Sequence, residues 1–421
     1  MSGDAFSASP PAQRVTALLD NGTLDRGQAH ASGSLIAGFG SMGGKEVTIV
    51  ATDRHVAGGS LGVAESHALA ALMEESHAAH RPVVLCLDSA GARLDEGLPA
   101  LGAFRQLYRR MLDLRLAGLP MLALLGRDCF GGASMLAATC EKRVFSAKSR
   151  LAMSGPAVIH ALGGAAELDA DDVSAVTALM GGAARQRLSP TDGLCADTID
   201  AYRKEARDWL DSGTQAGTPD LTLQHTRLGT RLLAQGVTPS PPQEAADSLP
   251  AVLQEIIPEG IKTQKMDGVL VGRNGKSTLN AFFGFIDGKP VDALAAWTLA
   301  GECLTMAEER PGEAVTVFLD SPGQAPTHRD EKLMLSEYIA HLALVLTSLR
   351  QNGHRVTLQV LGDAAGGIYV ALAAPSVRVV ALPGANVQVL PPAAVARVLH
   401  RRTEVDGVED YMRAGVIDTL M

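Results

Sequence analysis

Pro82-VVLCLDSAGAR-Leu94 and Ala314-VTVFLDSPGQ-Ala325 carry one pattern twice: a short aliphatic, β-branched run stopping at Asp-Ser, then a small residue and a glycine. Further along, Leu119-PMLALLGRDCFGGASMLAAT-Cys140 answers to Arg355-VTLQVLGDAAGGIYVALAA-Pro375. A third pair follows, Lys142-RVFSAKSRLAMSGP-Ala157 with Val377-RVVALPGANVQVLPP-Ala393. The offset is 232 residues at the Asp-Ser and 235 at the Gly-Gly, and three collinear matches of this kind mark an internal duplication. Each half reads strand, turn, helix, strand, glycine turn, helix, strand. The intervening helices are expected over 98–116 and 331–349, which implies parallel βαβ units. Gly-rich hairpin signals stand upstream, Ala37–Arg54 and Asp267–Lys289. The stretch Asp211–Leu249, with its Gly, Thr and Pro, reads as the divide, with room for a short helix over 221–233.

Working outward, 421 residues with 46% hydrophobic and 20% charged content are enough for two packed cores and exclude a disordered chain. Net charge is −9, without the basic excess or stripe that a nucleic-acid or membrane-surface binder shows. Five scattered cysteines, Cys86, Cys129, Cys140, Cys195 and Cys303, include no C-x-x-C pair, so neither a disulfide framework nor a structural zinc site is expected. No signal peptide and no bilayer-spanning apolar run is read, and a cytoplasmic location is expected. Residues 1–12 are expected to be disordered.

The chemistry is expected at the glycine turns. Cys129-Phe130-Gly131-Gly132 follows a buried strand and opens a helix, so unpaired backbone N–H groups gather there without a Cβ in the way. Such a cluster suits an oxyanion. The loop after the preceding strand, Asp88 to Arg93, ends on the same sheet edge and offers a second donor near Gly91 and Ala92. The equivalents in the second half are Gly323 and Gln324, with Gly366 and Gly367. Glycines that merely permit tight turns are the competing reading. Its weight falls because two such loops recur in both halves.

The runs Asp88-SAGARLDEG-Leu98, Cys129-FGG-Ala133 and Leu151-AMSGPAVI-His160 resemble the carboxyltransferase subunits of the crotonase superfamily, most of all the beta subunit of malonate decarboxylase. Glu167-LDADD-Val173 and Met180-GG-Ala183 fit it too, giving coverage from about Leu18 to Asp211. The second half is similar to the gamma subunit, most clearly over Val315–Arg402. The first loop departs from the usual Asp-Ser-Gly-Gly-x-Arg at Ala90 and Ala92, and the second glycine turn reads Ala365-Gly366-Gly367 where the family has a serine. The resemblance implies two tandem crotonase-like domains, 13–210 and 251–421 with a linker at 211–250, each a twisted ββα superhelical sheet with helices, joined as a beta–gamma fusion. It implies decarboxylation of a malonyl thioester on an acyl carrier protein, through an enolate and without metal. The thioester arm is of phosphopantetheine or CoA type and belongs to the substrate; the chain itself binds no cofactor. Gly91, Ala92, Gly131 and Gly132 would hold the thioester oxygen. Gly323, Gly366 and Gly367 would face the carboxyl group, in a cleft between first-half and second-half domains. Arg93, Ser154, Gly155 and Gln324 are candidate substrate-binding residues. Expected partners are the carrier subunit, its acyltransferase and further copies of the chain. The alternative is a biotin-dependent carboxyltransferase, whose second hole takes the biotin ureido oxygen.

Other residues invite competing readings. Ser134 could be a hydrolase nucleophile with His160 as base, but the reading preferred is a helix-start serine. Arg93 serves either as a carboxylate or phosphate anchor or as a solvated loop residue. Arg105, Arg109, Arg110 and Arg115, and likewise Arg397, His400, Arg401 and Arg402, are better read as solvated faces than as carrier-docking patches. His55, His67, His77 and His80 read as surface histidines. Asp88 and Asp320 read as turn caps. No proton donor to the enolate is legible.

Overall fold

Leu35–Met42 (β1) and Lys45–Thr52 (β2) pair antiparallel across the tight turn at Gly43-Gly44 and start the first sheet. The computed structural model describes residues 4–25, 33–212, 217–245, 249–273, 280–391, 395 and 408–421. After the hairpin every pairing is parallel: Val83–Ser89 (β3), Met121–Phe130 (β4), Lys142–Ser146 (β5) and Gly193–Cys195 (β7) extend the sheet in the order β1-β2-β3-β4-β5-β7. Arg150–Ala152 (β6) pairs with the far end of β4, Asp128 to Phe130, whereas β5 pairs with its near half, Leu122 to Leu124. β4 is thus long enough to turn its two ends toward different neighbours.

The second sheet repeats this plan. Gln243–Glu244 (β8), Lys262–Met266 (β9), Val269–Arg273 (β10) and Asn280–Phe285 (β11) are antiparallel neighbours. Ala314–Ser321 (β12), Val356–Ala365 (β13), Arg378–Ala381 (β14) and Thr419–Leu420 (β16) follow in parallel. Asn386–Gln388 (β15) pairs with the far end of β13, Asp363 to Ala365, as β6 does with β4. Both halves have the same irregularity: the β3–β4 register shifts between Leu87 and Ser89, and the β12–β13 register between Leu319 and Ser321. The duplication is therefore present in strand order, in pairing and in the defect at the Asp-Ser. The fold is of the α/β class with two sheets.

Helices follow where the apolar period is 3.6. Leu98–Leu116 starts after Gly97, carries Pro99 in its first turn and buries Leu101, Phe104, Tyr108, Met111 and Leu112. The helix expected over 331–349 is broken in two, His328–Lys332 and Leu335–Gln351, because Met334 takes a left-handed φ of 63° between them. Within the stretch expected to be a linker, Leu221–Ala234 is a helix of nearly four turns, capped by the Asp220 carboxylate on the Leu223 N–H at 2.8 Å.

The chain forms two contact units. The first holds residues up to Pro219 together with Pro326–Glu337; the second holds Asp220–Ala325 and continues from Tyr338. The core of the first gathers Val15, Leu18, Ile49, Val84, Leu122, Tyr202 and Trp209. That of the second includes Leu253, Leu270, Phe282 and Phe318. Residues 4–12 are not the disordered lead expected. Phe6 is fully buried, its ring stacked on Tyr202 at 3.8 Å between centroids, and the helix Pro11–Leu18 lays Val15 and Leu18 into the core. One aromatic residue with a receptive partner outweighs the polar composition around it. Among the described residues no helix is long and apolar enough to cross a membrane.

Candidate active site

In the first unit the ends of β3 and β4 meet. Asp88, at the register shift, is buried and takes up three tethers: Arg14 at 3.0 Å, the Asp128 N–H at 3.2 Å and, through its own N–H, the Thr52 hydroxyl at 2.7 Å. These three bonds tie the loop to its neighbours, the arrangement a turn cap makes. Gly91 then adopts φ +103°, and a Cβ placed there would lie 2.9 Å from the Phe130 carbonyl and 3.4 Å from the Gly132 nitrogen. Only a glycine lets the two loops come this close. Gly131, φ +55°, turns the chain from β4 into the helix Gly132–Thr139.

The N–H groups around this meeting point sort into used and unused. Gly91 donates to Ser89 Oγ at 3.1 Å, and Gly131 donates to the carbonyls of Ala152 and Met153, both at 3.2 Å. The Ala92 and Gly132 N–H groups have no acceptor among the described residues. Gly132 is the first residue of its helix, where the N–H has no intrahelical partner and the helix dipole is positive. Of the four first-half residues expected to form the hole, Ala92 and Gly132 thus offer donors, while Gly91 and Gly131 shape the turns that bring them together. The Phe104 ring covers Gly132: a Cβ there would meet its Cζ at 2.7 Å, so larger residues at 132 disturb the packing as well as the site.

Behind the hole stands a group that sequence reasoning missed. Glu331, fully buried, accepts the N–H of Ser154 at 2.6 Å and that of Met153 at 3.2 Å, and pairs with the equally buried Arg185 at 3.3 Å. Arg185 also donates to the carbonyls of Leu151, at 2.7 Å, and Glu331. Burial pushes the Glu331 carboxyl up to about 7, against the pull of Arg185 and the two N–H groups. This clamp fixes the strand-end segment Leu151–Ser154, whose carbonyls hold Gly131. Arg185 lies just past the Met180–Ala183 run noted for its glycines, and nothing local in the sequence ties Glu331 to Ser154, 177 residues away. Ser154 Oγ is buried with no partner among the described residues. Gly155 packs against the Phe130 ring.

Several candidates take structural posts instead. The Arg93 guanidinium, offered as an anion anchor or a solvated loop residue, is neither. It donates to Glu65 at 2.6 Å, to the Ser60 carbonyl at 2.7 Å and to Glu96 at 3.2 Å. Glu65, although buried, is held below its ordinary value by the Ser34 N–H and by Arg93. Ser134 is fully buried; its hydroxyl donates to the Gly131 carbonyl at 2.7 Å and lies 3.7 Å from the Met153 sulfur, a helix-start serine. His160 Nδ1 accepts the Ala170 N–H at 3.3 Å. The arginines of the helix Leu98–Leu116 do not form a solvated stripe: Arg105 and Arg115 are buried, Arg115 donating to the Gly217 carbonyl at 2.9 Å, and Arg110 pairs with Glu74. Arg397, His400, Arg401 and Arg402 lie outside the described residues.

The second unit repeats several bonds of this scaffold. Leu61 N–H to Gly91 carbonyl (2.8 Å) is matched by Val291 N–H to Gly323 carbonyl (2.9 Å). Arg93 N–H to Leu61 carbonyl (3.0 Å) is matched by Ala325 N–H to Val291 carbonyl (2.8 Å). Gly323 donates to Ser321 Oγ as Gly91 does to Ser89 Oγ, and the Asp363 N–H is held by Asp320 at 3.0 Å as that of Asp128 is by Asp88. Among the described residues Asp320 has no counterpart of Arg14 beside it; burial and the nearby Asp363 and Asp287 raise it, against the Asp363 N–H. One difference bears on the hole. The Gly367 N–H, equivalent to that of Gly132, is taken by Gln324 Oε1 at 3.1 Å. Gln324 was a candidate for substrate and Gly367 for the carboxyl group; here they satisfy each other.

Residues 14–188 match the carboxyl transferase domain family, and residues 287–414 match the malonate decarboxylase gamma subunit family. The chain is 25% identical to the methylmalonyl-CoA carboxyltransferase 12S subunit of Propionibacterium freudenreichii subsp. shermanii, over 94% of this chain and 75% of that protein. It is 28% identical to the malonyl-S-ACP:biotin-protein carboxyltransferase MADC of Malonomonas rubra, over 40% of this chain and 58% of the relative. A Pseudomonas malonate decarboxylase hetero-tetramer solved in complex with malonate aligns with a TM-score of 0.49 and 25% identity, over 56% of this chain and 91% of that one. The two family matches, one in each half, mark the chain as an enzyme that joins a carboxyl transferase-type segment and a malonate decarboxylase gamma-like segment in one polypeptide.

Proposed function

We propose that the chain decarboxylates a malonyl thioester to the acetyl thioester, using the open N–H pair of Ala92 and Gly132 as an oxyanion hole. The observation that carries this reading is that these two donors, on the two loops that Gly91 and Gly131 let approach, have no acceptor among the described residues. When the Cα–carboxyl bond breaks, CO₂ leaves and the electron pair moves through Cα onto the thioester oxygen. The enolate so formed carries its charge where two preorganised donors lie, and a proton at Cα completes the acetyl group. Neither a nucleophile nor a covalent intermediate is needed, in keeping with Ser134 being committed to the Gly131 carbonyl. Glu331 and Arg185 act through Leu151–Ser154 to hold Gly131, and Ser154 Oγ is a buried hydroxyl close by.

The substrate arm is of the phosphopantetheine or CoA type, carried on an acyl carrier subunit and loaded by an acyltransferase. The enzyme works as a homo-oligomer in the cytoplasm. Support for a carrier comes from the Malonomonas rubra relative, whose name specifies a malonyl-S-ACP substrate. That name also specifies a biotin-protein acceptor, which keeps carboxyl transfer to biotin as the second reading. The deciding experiment supplies purified protein with malonyl-CoA or a malonyl-pantetheine mimic, with and without biotin, and follows CO₂ and the acetyl thioester. Release that needs no biotin is the expected result. Turnover only with biotin, or carboxybiotin as the product, would move the chain to the transferases.

A further inference from the structure

We infer that Gln324 closes the second glycine turn, so that it cannot hold a urea-type carbonyl such as the biotin ureido oxygen and the carboxyl group leaves as CO₂. The inference deepens the proposed function, and its consequence for CO₂ rests on that reading. Each half builds the same turn, with matching bonds from an upstream bridge residue (Leu61, Val291) and the same serine on the loop glycine N–H. At the offset of 232 residues, Ala92 in the first half is Gln324 in the second. Alanine ends at Cβ and leaves the Gly132 N–H open. Glutamine is long enough to fold its carboxamide back onto the Gly367 N–H, at 3.1 Å, and it is only 9% exposed there.

The neighbouring residue is fitted to this closure. Gly366 has φ +61°, and a Cβ on it would lie 2.7 Å from Gln324 Oε1. The carboxamide oxygen therefore sits against the glycine turn, in the space an incoming carbonyl oxygen would need. An N–H engaged at 3.1 Å by a buried amide oxygen is not free for another acceptor. A ligand carbonyl could use it only by displacing the side chain from a satisfied hydrogen bond, and an acceptor of equal strength gains nothing from the exchange. The first hole, in contrast, needs no such displacement.

The test is binding of biotin itself, which needs no malonyl substrate and so stands or falls apart from the decarboxylase reading. Full-length wild type and Gln324→Ala are titrated with biotin and with 2-imidazolidone, the bare urea ring, by ligand-observed NMR. Gln324→Ser serves in place of the alanine variant if that variant melts early. The expected result is binding to the variant at least about tenfold tighter than to wild type, the worth of one buried hydrogen bond. Malonyl-CoA with biotin then yields carboxybiotin only with the variant. Wild type binding biotin as well as the variant, or neither protein binding it, would overturn the inference.

Discussion

Ala92 and Gln324 occupy the same place in a duplicated loop, and the difference between one methyl and a carboxamide decides which N–H group stays open. The consequence for the first half is direct. Ala92→Gln should reach the Gly132 N–H as Gln324 reaches that of Gly367, and turnover measured as CO₂ release should fall by roughly 10²–10³-fold. Undiminished turnover in a folded variant would remove this turn from the chemistry. Ser134→Ala should keep turnover within a few-fold, and the wild type should resist fluorophosphonate labelling, since the hydroxyl is spent on Gly131. Glu331 makes a prediction about pH. Its carboxyl is raised from 4.5 to about 7 in the folded chain, so its contribution to stability is complete below the unfolded value and is lost as pH climbs through the folded one. The stability difference between wild type and Glu331→Gln should therefore shift against wild type between about pH 4.5 and pH 7, read from melting temperatures. A difference that stays level across that window would show a carboxyl already ionised throughout it.

At the scale of elements, the strands and glycine turns were legible because their signals are local. Two aliphatic runs ending in Asp-Ser, and two strand–Gly-Gly–helix passages, appear in the structure as β3, β4, β12 and β13 with the helices Gly132–Thr139 and Gly366–Ala373. Two misreadings have opposite causes. The helix expected over 331–349 was interrupted by the left-handed Met334, a backbone choice that no residue type in that run advertises. The N-terminal residues looked unstructured because their signal is one aromatic residue, and Phe6 acquires its meaning only from Tyr202, far along the chain. Phe6 also lies under the Arg14 guanidinium at 5.2 Å, and Arg14 in turn holds Asp88. Phe6→Ala should therefore cost about 3–5 kcal/mol in denaturant unfolding. A loss under ~1 kcal/mol would mean that this segment is not part of the first core.

At the scale of the whole molecule, the chain does not divide cleanly at the stretch between the duplicated halves. Pro326–Glu337, from the second half of the sequence, belongs to the first contact unit and brings Glu331 to Arg185 and Glu337 to Arg143, which also binds Asp192 at 2.8 Å. Without it, Arg185 and the N–H groups of Met153 and Ser154 would be buried without their acceptors, and removing one partner of a buried pair costs about 3–5 kcal/mol. Residues 1–219 expressed alone should therefore be insoluble or melt well below the full chain. A stable fragment with the full chain's cooperative melt would contradict this accounting.

The duplication, the parallel sheets and the position of the glycine turns could be read from residue order alone, because each rests on periodicity and residue type within a few neighbouring positions. The sequence's resemblance to carboxyltransferase subunits in the first half and to the malonate decarboxylase gamma subunit in the second agrees with the family matches. Only the tertiary structure decided which N–H groups remain unpaired, that Arg93 is consumed by Glu65 and Glu96, and that Gln324 fills the second turn. It alone brought Glu331 behind the first turn. The reason is physical: whether a donor is open depends on every acceptor that folding brings within about 3 Å of it, and those acceptors come from residues up to 177 positions away.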